Sequence, residues 1–162
     1  VADYFSIVAA SIKNFGVKFT IKLRAGAEGF FEEVLRRTFS GIPYEVCRHM
    51  SIQTLFAKSD VVISPVSTVL FESLIMGRPT VFVALSDVHY RLGSEFLPYV
   101  GDGLALARTE QELMDEMILL MKSYDERVRL AEGAKRCVVE NYLFDGQSAH
   151  RIADAIRVLV KK

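Results

Sequence analysis

Apolar positions along the chain fall into two spacings. Phe5, Val8, Ile12 and Phe15 recur every three or four residues, the stripe of an amphipathic helix, and Gly16 offers it a stop. Residues 18–23 then alternate, with Phe19, Ile21 and Leu23 on one side as a strand requires, and Arg24-Ala25-Gly26 closes the run. Phe30, Phe31, Val34, Leu35 and Phe39 form a second helical stripe ended by Gly41, and 44–47 suits a short strand. Ser51 can cap a short helix carrying Leu55 and Phe56. Residues 60–64 and 80–85 are continuous apolar runs, with three consecutive β-branched residues at Val61, Val62 and Ile63, and they predict central strands buried on both faces. Between them Ser67 or Thr68 can cap a helix over 69–76, which Gly77 ends and Pro79 cannot continue.

The remainder reads as a mixed polar and aromatic loop over 86–102 and a last short strand over 104–107. Thr109 can then cap a helix, with Glu112 completing a capping box and Leu113, Met117, Leu120 and Met121 on its inner side. Two more helices are predicted, over 125–142 and from 148 to the end. Strands alternating with helices imply right-handed crossovers and a parallel sheet, so the predicted fold is α/β and Rossmann-like, with helices on both faces and a helical C-terminal tail. The chain opens on a helix where a doubly wound half usually opens on a strand.

Length and composition narrow the class. The 162 residues suit one domain, expected over 1–162, and a chain of this size buries about 70% of its unfolded surface without staples. Twenty Lys and Arg balance twenty Asp and Glu, so no long-range field draws the domain to nucleic acid or to an anionic membrane. Cys47 and Cys137 form no CxxC pair and join no His/Cys cluster of metal-ligand spacing, so they read as reduced thiols, and neither metal nor cofactor is expected. No apolar run reaches transmembrane length, and no signal peptide is legible. A cytoplasmic location is expected, and the absence of an initiator Met suggests a piece of a longer protein.

In an open parallel sheet, ligands bind beyond the carboxyl ends of the strands. That rule nominates 24–26, 49–51, 64–68 and 84–91. The turn from Ser64 through Ser67 and Thr68 joins a buried strand to a helix, where free N–H groups and the positive helix end favour an anion such as a diphosphate. The Ser67 and Thr68 hydroxyls either add donors to that site or merely cap the helix, and the two roles are compatible. Glu72, one turn on, reads as helix-end electrostatics or as an acceptor for ribose hydroxyls. Arg24 at a strand end could pair with a phosphate or simply be solvated, and His49 and His89 lie in rim loops without a partner pattern. No GxGxxG, GxxxxGK[ST], GxSxG or HExxH occurs, which argues against NAD oxidoreductases, P-loop NTPases, serine hydrolases and zincins.

The stretch 55–64, then Ser67-Thr68-Val69-Leu70-Phe71-Glu72-Ser73-Leu74, then Gly77-Arg78-Pro79-Thr80-Val81-Phe82, resembles the donor-binding half of GT-B glycosyltransferases. The resemblance implies that 64–68 holds the diphosphate of a nucleotide diphosphate sugar and that Glu72 contacts its ribose or sugar. Arg24 and the His49 loop would border the phosphate and base. It further implies an acceptor-binding N-terminal domain outside this chain, through which the protein could touch the inner face of a membrane. Nucleotide-sugar epimerases share the architecture, but their Gly-Gly turn and consecutive Glu residues are Val66-Ser67 and the single Glu72 here. CDP-glycerol glycerophosphotransferases resemble the chain in strand 18–23 with Arg24 and in the tail 145–152. Their usual His-Pro pair is Ala25-Gly26 here. Sugar transfer is therefore the leading expectation, with the epimerase, the glycerophosphotransferase and a non-catalytic binding module as alternatives.

Overall fold

The computed structural model describes residues 2–23, 26, 28–142 and 145–160. In chain order the elements are α1 (Ala2–Ile12), β1 (Phe19–Lys22), α2 (Glu28–Thr38), β2 (Tyr44–Cys47), α3 (Ile52–Ala57), β3 (Val62–Ser64) and α4 (Thr68–Ile75). There follow β4 (Thr80–Val83), α5 (Asp87–Leu92), a 3-10 helix (Ser94–Tyr99), β5 (Ala105–Ala107), α6 (Glu110–Lys122), α7 (Tyr124–Asn141) and α8 (Ser148–Val160). Every strand ladder is parallel, as the alternation of strands and helices predicts.

The hydrogen-bonded strands form two sheets where one was expected. One holds β1 and β2, and the other runs β3-β4-β5. Both sheets share a core, since Ile21 of β1 and Val81 and Val83 of β4 pack in a single cluster. Of the two strands expected to be central, β4 is central and β3 is the outer strand of its ladder. Both ladders are also shorter than the apolar runs. Val62 N–H already donates to the Pro79 carbonyl at 2.9 Å, while Ala84 N–H still reaches Ala107 at 2.8 Å beyond the end of β4.

β4 shows why its run is continuous. All four of its residues are buried. Val81 and Val83 face a core built with α1, α2 and α6, and Phe82 and Ala84 face a second core built with α4, the 3-10 helix and α7. Successive strand residues point to opposite faces, so a strand covered on both sides takes apolar residues at nearly every position, and its one polar residue, Thr80, donates its hydroxyl to the Arg78 carbonyl at 2.8 Å. Full burial of each of these large side chains is worth about 1.5–3 kcal/mol. Helices thus lie on both faces, as predicted. The opening helix α1 belongs to the first layer, with Val8 and Ile12 buried against it.

α4 ends as its sequence predicts. Gly77 adopts φ +58°, donates to the Leu74 carbonyl at 2.9 Å, and is followed by Arg78 N–H to Ser73 at 3.0 Å. This pair of bonds closes the helix on a left-handed residue, which costs glycine nothing. The stretch 86–102 differs from the expected loop, because it contains α5 and the 3-10 helix. On the other side, the turn 101–103 lies against the backbone of α7, so closely that a Cβ on Gly133 would stand 2.0 Å from the Asp102 carbonyl oxygen.

Candidate functional site

Because β3, β4 and β5 are parallel neighbours, their carboxyl ends share one edge. Each leads within a few residues to a helix capped by a hydroxyl. Ser67 Oγ accepts from Val69 N–H at 3.3 Å, Ser86 Oγ from His89 N–H at 3.2 Å, and Thr109 Oγ1 from Glu112 N–H at 3.1 Å. Three positive helix ends therefore meet on one rim.

Two of the three carry their own anions. α5 has Asp87 in its first turn, bonded to Arg108 Nη2 at 3.1 Å. α6 has Glu110 and Glu112 there. Glu112 Oε2 accepts from Arg108 N–H at 2.6 Å, one residue before the Thr109 N–H that a capping box would use. α4 has no acidic residue in its first turn. Its first free donors are partly spent, Val69 N–H on the Ser67 hydroxyl and Leu70 N–H on the Ser67 carbonyl at 3.0 Å. The N–H groups of Ser67 and Thr68 have no partner among the described residues. The end of α4 is thus the place on this rim where an external anion meets unpaired donors and no first-turn carboxylate.

The predicted residues sit there unequally. Ser64 is buried and its hydroxyl donates to the Pro65 carbonyl at 3.0 Å, so that proton is spent within the turn. Ser67 caps through a lone pair, which leaves its own proton for another acceptor. Thr68 is exposed, and its hydroxyl has no partner among the described residues. Glu72 is half-buried and four residues on, hence on the same side of α4 as Thr68, and its carboxylate makes no hydrogen bond or ion pair among the described residues. His49 is exposed in the loop between β2 and α3, and no hydrogen bond among the described residues links it to the turn. Arg24 lies outside the described residues, so its expected position across a cleft from Glu72 is not described either. His89 stands in the first turn of α5.

The neighbouring ends of β4 and β5 form an open depression of about 420 Å³ between residues 84–87 and Arg108, Thr109 and Glu112. Arg108 is the centre of that group, with its guanidinium 4.2 Å from the centre of the Tyr90 ring. Sequence reading nominated 84–91 and passed over Arg108, although it follows a predicted strand directly and the same carboxyl-end rule applies to it. Behind the site, α4 is braced by Phe71, whose ring meets Tyr142 edge-on at 4.6 Å, and Tyr142 shares a 2.6 Å hydroxyl contact with Tyr99. Burial first, and then that contact, push the Tyr99 hydroxyl up to about 12. Among the described residues no group of three or more His, Cys, Asp or Glu side chains could hold a metal ion. No helix of the described residues is long and apolar enough to cross a membrane.

The profile of the family described as CDP-Glycerol:Poly(glycerophosphate) glycerophosphotransferase matches residues 30–158. The chain belongs to this family. The match spans β2 to α8 and includes the whole β3–α4 turn. Nothing among curated proteins or solved structures matches the chain. The glycerophosphotransferase family is one of transferases, and its match makes the alternative that sequence reading ranked behind sugar transfer the supported one. Sugar transfer itself gains no support from the match.

Proposed function

We propose that this chain is the donor-binding domain of a transferase whose donor is a nucleoside diphosphate carrying glycerol, and that the diphosphate sits on the N-terminus of α4. One observation carries the site: among three helix ends on the rim, α4 alone presents unpaired N–H groups without a first-turn carboxylate. The family match supports the chemical class of the donor.

In this reading the Ser67 and Thr68 N–H groups and hydroxyls receive phosphate oxygens, and Glu72 accepts from the ribose hydroxyls. Arg24, next after the strand that opens at β1, supplies a bidentate phosphate contact, and the His49 loop borders the base. An acceptor hydroxyl attacks the phosphorus that bears glycerol. The bond from that phosphorus to the bridging oxygen breaks, and the nucleoside monophosphate leaves with the bonding pair. The dipole and donors of α4 stabilise the charge gathering on the leaving phosphate. The acceptor hydroxyl and the base that deprotonates it belong to a second domain facing this rim.

A second reading keeps the site and changes the reaction. Ala25-Gly26, which precedes the matched residues 30–158, stands where the resemblance to the family leads one to expect His-Pro, and this departure weakens the glycerophosphotransferase reading and leaves glycosyl transfer from a nucleotide diphosphate sugar as the alternative. The products separate the two, since glycerophosphate transfer releases a nucleoside monophosphate and sugar transfer releases a nucleoside diphosphate.

Calorimetric titration of this chain with CDP, UDP, GDP and CDP-glycerol tests the site. A cytidine ligand is expected to bind, and Thr68→Val and Glu72→Gln are expected to weaken it. Each lost charge-assisted hydrogen bond costs about 1.5–3 kcal/mol, or roughly ten- to hundredfold in affinity. Unchanged affinity in both variants leaves Ser67 and Thr68 as a helix cap and nothing more.

A further inference from the structure

α4 is seated on one side and used on the other. Leu70 and Leu74 are fully buried in the second core. At about 100° per residue, Thr68 and Glu72 point to the opposite side of the helix. A helix held along one row of contacts can still roll, and roll swings both of those residues across the rim. One flank is closed: Ser73 is buried, and its hydroxyl donates to the Leu70 carbonyl at 2.7 Å. On the other flank stands Phe71, about 60° around the axis from Thr68. Its ring meets Tyr142 edge-on with centroids 4.6 Å apart. Tyr142 is fixed in turn. It leaves helical geometry at the end of α7, with φ −137° and ψ 141°, and its N–H still reaches the Val138 carbonyl at 3.0 Å. Its hydroxyl lies 2.6 Å from that of Tyr99, a buried residue whose own carbonyl accepts from the Gly103 and Leu104 N–H groups at 2.8 and 2.9 Å.

We propose that Tyr142 is a positioning residue for the α4 site: its ring sets the roll of α4, and with it the direction of Thr68 and Glu72. The inference rests on the donor reading given above. Tyr142 acts through Phe71 rather than through the ligand. An edge-on aromatic pair is favourable beyond the area it buries, so without it the seated roll becomes one pose among several. A ligand that needs the seated pose then binds more weakly, in proportion to the fraction of chains that hold it. Because the chain leaves α7 at this residue, the start of the C-terminal tail and the donor site share one contact.

Calorimetric titration with CDP, alongside urea unfolding, tests it. Tyr142→Ala is expected to weaken CDP binding by about three- to tenfold, under conditions where circular dichroism shows the chain fully folded. Tyr142→Phe keeps the ring on Phe71 and should bind as the parent does. Val8→Ala thins the core on the far side of β4, so it should lower the urea midpoint and leave CDP affinity unchanged. A loss of affinity in Val8→Ala equal to that in Tyr142→Ala would make the effect one of general stability and overturn the proposal. Parent-like affinity in Tyr142→Ala also overturns it while leaving the donor site standing, and a Tyr142→Phe variant as weak as Tyr142→Ala takes the role from the ring. If the parent chain itself does not bind CDP, the donor reading falls and this inference falls with it.

Discussion

Gly133 in α7 and Gly29 in α2 are both helical glycines, and the same substitution should move stability in opposite directions at the two sites. Replacing a helix-interior glycine with alanine favours folding by up to about 1 kcal/mol through chain entropy and solvation. Gly29 stands in the first turn of α2, where only part of that gain applies, and nothing described lies within 4 Å of the added methyl, so a smaller gain should appear there. At Gly133 the methyl would stand 2.0 Å from the Asp102 carbonyl oxygen and 2.5 Å from its carbon. These are backbone atoms, and no rotamer change can clear them. The turn must lift, yet it is held from both sides. Gly103 packs so tightly that its own Cβ would stand 2.8 Å from Ala134 Cα, and Arg129 Nη1 donates to the Gly101 carbonyl at 2.5 Å. Overpacking costs about 1–3 kcal/mol. A clash of this depth belongs at the upper end, so after the propensity gain a net loss of roughly 2 kcal/mol is expected. For a domain of this size that is about 4–8 °C in Tm. Urea titration followed by far-ultraviolet circular dichroism reads both variants. A Gly133→Ala chain as stable as the parent would show that the turn does not press on α7 and refute the reasoning.

Gly77→Val should destabilise more than Arg78→Ala, because Gly77 holds φ +58° while Arg78 Nη1 makes one long bond of 3.5 Å to the Ser59 carbonyl, and equal urea midpoints would contradict this. The Tyr99 hydroxyl is held neutral in the fold, with its titration raised from 10.0 to about 12, so its contribution is fully present below about pH 10 and is lost as pH rises toward 12. Tyr99→Phe should therefore lose less stability than the parent across that alkaline window, and parallel pH profiles would remove the claim. Glu72→Gln keeps shape and removes charge, so it should weaken nucleotide binding while the urea midpoint stays near that of the parent. A fall in the midpoint with affinity intact would instead make Glu72 a structural residue.

Sequence patterning located most elements because burial here is periodic. Val8 with Ile12, or Leu113 with Met117 and Leu120, are inward stripes that survive into the fold as fully packed residues. α5 escaped because its sides are inverted: Val88 and Leu92 are exposed, and no apolar stripe marks the helix from within. The 3-10 helix carries Pro98 inside it, and proline discourages reading a helix at all. The split into two sheets depends on hydrogen bonding between strands distant in sequence, which local spacing does not encode. For the site, strand ends and hydroxyl caps were legible at Ser67, Thr68 and Glu72. What distinguishes α4 from α5 and α6 was equally present as letters, in Asp87, Glu110 and Glu112, but it acquires meaning only once the three helix ends are known to share an edge.

The double burial of β4 has a consequence for how the sequence can change. Its alternate residues serve two separate packings, so a substitution at Val81 or Val83 disturbs the layer of α1, α2 and α6, while one at Phe82 disturbs the layer that holds α4. The strand itself is common property. A shift of its backbone made to accommodate a larger Val81 side chain is transmitted to Phe82 and from there toward the helix that carries Thr68 and Glu72. Divergence on the far face of the sheet is therefore never private to that face, and compensating changes in this family should be sought in pairs that straddle β4.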